Sequence, residues 1–151
     1  MPRIENSVVI AEDPRKVFDI TNDIDRWSEI FDEYSAAEVV TRERDGRWTE
    51  IVFELTDHEG RSWRSWRLLD HRELVVYAER RDPLFPFRYM HLRWSYRAVA
   101  GGTEMTWVQD FEPADGFDVP LESMVERMQV HTRRNQAGIR RIIESGAVRA
   151  A

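Results

Sequence analysis

Two segments of this chain alternate with period two. Met90, Leu92, Trp94 and Tyr96 interleave with His91, Arg93, Ser95 and Arg97. Beyond Gly101-Gly102, Met105, Trp107, Gln109 and Phe111 interleave with Thr106, Val108 and Asp110. Successive side chains of a strand point to opposite faces, so the pattern demands antiparallel strands with one apolar, aromatic face buried. That face needs a cover, and the sequence supplies one. From Leu121 to Glu144, Leu121, Met124, Val125, Met128, Ile139, Ile142 and Ile143 recur close to helical spacing.

The rest of the chain fits this frame. Ile4 to Ile10 alternates as a first strand. Asp13-Pro14 reads as an N-cap with proline at the first helical position, followed by a short helix with Val17, Phe18 and Ile20 on its apolar side. A second short helix is expected over Arg26 to Phe31, after the cap candidate Asp25. Ala37 to Arg44 and Trp48 to Thr56 read as strands joined at Asp45-Gly46, a hairpin signal. A turn at His58-Glu59-Gly60 leads to the strand Trp63 to Arg67, and Leu74 to Arg81 follows as another. The prolines of Asp82-Pro83-Leu84-Phe85-Pro86-Phe87 end the sheet there, and the apolar side chains of that loop suggest a covering role. A sheet with one apolar face and one long terminal helix is satisfied when the sheet curls around the helix. Any space the side chains leave between them is the first place to expect a binding site.

Composition narrows the possibilities. The 151 residues suit one domain, 1–151, with a real core. The net charge of −6 argues against general nucleic-acid binding. No apolar run approaches the roughly 18 residues of a membrane span. Met1-Pro2-Arg3-Ile4-Glu5 lacks a secretory apolar region, so a cytoplasmic protein is expected. The absence of cysteine excludes disulfides and thiolate chemistry. His58 and His71 fall at turns, His91 on the outer face and His131 on the long helix, a spacing that offers no metal site. With no phosphate-binding loop either, no cofactor is expected.

Trp63, Ser65 and Arg67 share a strand face, and the apolar neighbouring strands turn that face inward. A guanidinium pointing into an apolar interior is costly unless something pairs with it. The plain structural alternative is an ion pair with Glu50 or Glu54, but alternation puts both on the face opposite Ile51 and Phe53. Arg67 is therefore a candidate for holding an oxygen-rich ligand.

Several segments resemble those of bacterial type II polyketide aromatase/cyclases. Thr21-Asn22-Asp23-Ile24-Asp25-Arg26-Trp27 with Phe31-Asp32-Glu33-Tyr34 resembles their helix segment, and Trp63-Arg64-Ser65-Trp66-Arg67 their Trp-x-Ser-x-Arg strand. The stretch Tyr89 to Gln109 is similar to the N-terminal domain of the tetracenomycin aromatase/cyclase and to the spore-pigment aromatase/cyclases, and the resemblance extends to Asn135 and the Arg140–Glu144 helix end. It implies an α+β helix-grip fold, Bet v 1-like or START-like, with a curved antiparallel sheet around the long C-terminal helix, two short helices near the N-terminus and an interior pocket. The tetracenomycin protein also has a methyltransferase domain, an activity not expected here.

The resemblance also implies chemistry: regioselective aldol cyclisation and dehydration of a linear poly-β-ketone. The substrate would be tethered by phosphopantetheine to an acyl carrier protein, alongside other minimal polyketide synthase components. Arg67 would clamp the oxygen where charge develops, and Tyr34 would donate a proton or hold the reacting ketone. Trp27, Phe31, Trp63, Ser65, Met90, Trp94, Trp107, Gln109, Met128, Thr132 and Asn135 would line the pocket. Related cyclases that close a different first ring carry histidine near position 109, so Gln109 implies C9–C14 closure over C7–C12. Arg81 and Arg88, flanking the 82–87 loop, are candidates for docking the acidic carrier. A non-catalytic carrier of a hydrophobic metabolite or lipid is the alternative reading, and a passive mould that only isolates the chain is a third.

Overall fold

The computed structural model describes residues 2–146. Strand β1 (Arg3–Ile10) is followed by helix α1 (Pro14–Thr21), a 3-10 turn (Ile24–Arg26) and helix α2 (Trp27–Ile30). Strands β2 (Tyr34–Asp45), β3 (Trp48–Asp57), β4 (Ser62–Asp70), β5 (Val75–Arg80), β6 (Phe87–Val99) and β7 (Gly102–Pro113) come next, and helix α3 (Leu121–Ser145) ends the described chain. The strands form one seven-stranded sheet in the order β1-β7-β6-β5-β4-β3-β2, antiparallel at every pairing. This is the helix-grip architecture. Alternation reads directly in β6 and β7, where Met90, Trp94, Tyr96, Met105, Trp107 and Phe111 are buried.

Helix α3 closes the concave face with Met124, Thr132, Gln136, Ile139 and Ile143. Ile139 and Ile143 join the main core with Phe18, Phe53 and Trp94, whereas Met124 packs in a second cluster with Ile4, Met90 and Phe111. Leu121, expected on the apolar side, is exposed because it opens the helix at the surface. Gly146, just past the helix, adopts a left-handed φ of 75° and returns its N–H to Ile142 and Ile143.

Other local signals hold to different degrees. Asp13 caps α1 through Oδ2, which accepts from the Arg15 N–H at 3.1 Å. Asp25 does not cap the second helix. It lies inside the 3-10 turn, and its carboxylate faces Arg42 at 3.6 Å. Strand β2 starts at Tyr34 rather than Ala37, with register shifts between Tyr34 and Ala36 and between Val39 and Thr41. Strand β5 starts at Val75 because Leu74 holds a φ of 54°, which a strand cannot continue.

A Cβ on Gly102 would lie 2.0 Å from the Ile10 carbonyl oxygen, and its φ of 139° disfavours any other residue. Gly102→Ala is expected to cost roughly 3 kcal/mol or more, because backbone must move. Urea denaturation checks this. Asp70, at the end of β4, is buried and accepts from Arg47 Nε and Nη2 at 2.8 and 2.6 Å and from the Arg72 and Glu73 N–H groups. Hydrogen bonding to Arg47 and those two amides outweighs its burial and holds its carboxyl far below the usual carboxylate range. A depressed carboxyl contributes stability that is fully present above its unfolded pKa, about 4, and lost as pH falls toward the folded value. Asp70→Asn should lower Tm by roughly 5–10 °C at pH 7. The difference from wild type should shrink below pH 4, which a series of thermal melts reads.

Candidate active site

A cavity of about 310 Å³ lies between the concave sheet face and α3, within the size range of small-molecule sites. The register explains why polar groups meet there. Arg67 pairs with Ala78, Ala78 with Leu92 and Leu92 with Gln109, so one row across β4, β5, β6 and β7 carries Arg67 and Gln109 on the same face. The next row places Trp94 opposite Trp107, with rings parallel to within 11° at 4.2 Å. Small side chains at Ser65 and Ala78 leave volume beside these aromatics, and both line the cavity.

Arg67 is 2% exposed and lines this space. Its guanidinium carbon lies 4.3 Å from the Trp94 ring and 4.9 Å from the Trp27 ring. Among the described residues, no carboxylate answers it. Nε and Nη2 are buried with no hydrogen-bond partner. Glu50 accepts from Trp66 Nε1 at 2.9 Å and Glu54 faces Arg64 at 3.9 Å, both on the other side of the sheet. Burial lowers the Arg67 pKa to about 10, so it remains a cation at neutral pH. The indole faces stabilise it through cation–π attraction.

Tyr34 stacks on Trp27 at 6.0 Å and 11° and packs against Phe31 and Trp63. Burial, then the charge of Glu33 and a hydrogen bond to it, push the phenol well above its ordinary pKa. Tyr34 therefore stays protonated and can donate. Gln109 Oε1 accepts from the Thr132 hydroxyl at 2.7 Å, which leaves its amide N–H₂ to orient a ligand oxygen. Asn135 Nδ2 donates to Glu33 Oε1 at 3.0 Å. Arg67, Tyr34, Trp27, Phe31, Trp63, Ser65, Met90, Trp94, Trp107, Gln109, Met128, Thr132 and Asn135 all line the one cavity.

Arg81 and Arg88 do not line it. Arg81 Nε donates to Glu79 at 3.1 Å and its guanidinium lies over Trp66, while Arg88 reaches Asp115 at 2.7 Å and Glu112 at 3.6 Å. Besides Arg67, the arginines of the cavity wall are Arg80 and Arg127. Arg80 lies over Trp63 and Phe87 and donates to the Pro83 and Phe85 carbonyls at 3.0 and 3.1 Å, fastening the 82–87 loop beside the cavity. Phe87 at the end of that loop reaches the cavity wall, whereas Phe85 is 58% exposed.

Sequence reasoning also passed over Glu33 and His131. Strand alternation hides Glu33, because neighbours such as Glu33 and Tyr34 should point apart. Glu33 precedes the strand, and the irregular start of β2 brings both inward. His131 had a signal: it lies one helical turn before Asn135. No group of three or more His, Asp or Glu side chains placed to hold a metal occurs among the described residues. No described helix is long and apolar enough to cross a membrane.

The family model described as polyketide cyclase/dehydrase and lipid transport matches residues 1–142. A Streptomyces cyaneus relative that carries the name polyketide cyclase is 43% identical over 112 residues, which are 71% of this chain and 70% of that protein. The granaticin polyketide synthase bifunctional cyclase/dehydratase of Streptomyces violaceoruber is 25% identical over 151 residues. That match covers 95% of this chain but only 44% of the larger protein. Among solved structures, the Zhui aromatase/cyclase of Streptomyces sp. R1128 superposes with a TM-score of 0.73 at 18% identity, over 97% of this chain and 93% of that one.

Proposed function

The chain belongs to the polyketide cyclase/dehydrase and lipid transport family, and from that membership we propose that it is a polyketide aromatase/cyclase. Its reaction is the intramolecular aldol closure of a linear poly-β-ketone delivered on an acyl carrier protein, followed by dehydration to an aromatic ring. The observation that carries this reading is the unpaired Arg67 guanidinium, held between indoles in a cavity wall. A pure carrier of apolar cargo gains nothing from a buried cation without a counter-ion.

The residues divide the work. The methylene between two ketones is already acidic, so the difficulty is choosing one carbon and one carbonyl in a flexible chain. Holding the reacting atoms together can supply roughly 7–11 kcal/mol in well-oriented cases. The Trp27, Trp94 and Trp107 faces provide flat walls for the folded chain. Arg67 faces the oxygen on which negative charge develops, in a water-poor site where a fixed cation acts strongly. Tyr34 gives its proton to the alkoxide formed on ring closure. Gln109, oriented by Thr132, holds a further carbonyl, and its presence instead of histidine supports C9–C14 closure. The cyclisation proceeds with no cofactor.

Reconstitution with a minimal polyketide synthase tests the reading. Adding this chain should replace the mixture of spontaneous shunt products with one aromatic product closed at C9–C14. The same mixture with and without the chain would favour the carrier reading. A C7–C12 product would leave a cyclase but remove the regiochemical assignment to Gln109.

A further inference from the structure

Aldol closure requires a group that takes a proton from carbon, and the polar centre described so far lacks one. Arg67 is a cation and Tyr34 a phenol that stays protonated. The side chains in the cavity wall able to accept a proton are Glu33, Glu79 and His131. Glu79 follows Ala78 on β5 and turns outward, where Arg81 reaches it at 3.1 Å and His91 at 3.6 Å. Glu33 is held differently. Asn135 donates to its Oε1 at 3.0 Å, and His131 Nδ1 lies 3.6 Å from Oε2. Both partners come from one face of α3, and the charge of Glu33 is felt by the Tyr34 phenol beside it.

Resting on the cyclase reading, we propose that Glu33 is the catalytic base that removes the proton from the reacting methylene, with His131 as its positioning residue. The protons balance between Glu33 and Tyr34. A Glu33 oxygen takes the methylene proton, and the C–H electron pair becomes an enolate whose oxygen faces Arg67. The enolate carbon forms the new C–C bond, and the attacked carbonyl oxygen takes the Tyr34 proton. Glu33 then returns its proton to the tyrosinate of the adjoining residue, which lines the same cavity. In the dehydration Glu33 takes a second proton from carbon, the C–O bond breaks, and the hydroxyl departs as water with the proton of Tyr34.

Electrostatics agree with this geometry. Burial raises the Glu33 carboxyl above its ordinary value, while His131, Asn135 and Tyr34 work against the rise and Asp32 adds to it. A raised carboxyl is a stronger base and narrows the gap to the carbon acid. A purely structural tie between β2 and α3 would need only the Asn135 bond. A half-exposed contact with His131 at 3.6 Å adds little stability.

The experiment is the pH dependence of ring closure on carrier-bound substrate for wild type, Glu33→Gln and His131→Gln, with folding followed by circular dichroism. Glu33→Gln keeps an acceptor for Asn135 and should fold. It is expected to lower kcat by about 10²–10³-fold with KM changed less than threefold, and to abolish the acidic limb of the profile. His131→Gln should fold and move that limb to higher pH, because the imidazole that works against the rise of the Glu33 carboxyl is gone. A wild-type rate and acidic limb in Glu33→Gln would overturn the assignment and leave the cyclase reading standing. If Glu33→Gln does not fold, His131→Gln decides, and an unmoved limb overturns the proposal. A wild-type protein that leaves the product mixture unchanged removes the cyclase reading and this proposal with it.

Discussion

Arg67→Met is expected to stabilise the protein and to destroy its ability to direct ring closure. The two effects have one cause. The guanidinium is buried among Trp27 and Trp94 with two nitrogens lacking any partner. Removing a charge from an apolar interior recovers desolvation energy, and cation–π contacts offset only part of that cost. Methionine fills similar volume without charge, so an increase of about 1–3 kcal/mol in unfolding free energy is expected. Urea denaturation at constant m reads it. The same change removes the cation that faces the developing enolate, which should lower directed turnover by roughly 10²–10³-fold. Shunt products should return even though the pocket is intact. A destabilised Arg67→Met that still directs cyclisation would make Arg67 a structural residue.

Tyr34→Phe should reduce turnover by about 10²-fold while leaving the fold alone. The ring keeps its stack on Trp27 and its contacts with Phe31 and Trp63, and only the hydroxyl is lost. Stability should therefore stay within about 1 kcal/mol of wild type. The phenol is pushed well above its ordinary value by burial and by Glu33. A group with a raised folded pKa contributes stability that is present below its unfolded pKa, about 10, and is lost as pH rises through the folded value. Wild type should lose part of its margin above pH 10, and Tyr34→Phe should lose less. Turnover in Tyr34→Phe equal to wild type would remove the proton-donor role.

Much of this site was legible before any coordinates. Alternation in β6 and β7 put Met90, Trp94, Trp107 and Gln109 on one inner face, because a strand has only two faces and the apolar residues choose one. The same logic turned Arg67 inward and Glu50 and Glu54 outward. The spacing of Met128, Thr132 and Asn135 put them on one side of α3. Three things were hidden. The irregular entry to β2 brings Glu33 and Tyr34 to one cavity, and strand parity cannot foresee a bulge. The roles of the arginines near the 82–87 loop depend on which carboxylate lies nearby. Arg81 and Arg88 meet Glu79, Asp115 and Glu112, while Arg80 folds under the loop. The lack of a counter-ion at Arg67 is a property of the whole interior, to which strands β2 to β7 and helices α2 and α3 contribute cavity-lining side chains.

The most direct test of the account is the structure of the protein bound to a planar polyhydroxy-aromatic product of the cyclisation. The ligand should lie between the sheet and α3 against Trp94 and Trp107, with one ring oxygen about 3 Å from the Arg67 guanidinium and a second near the Tyr34 hydroxyl. A ligand seated elsewhere, or one that turns only carbon edges toward Arg67, would contradict the claim that the buried cation exists to hold a substrate oxygen.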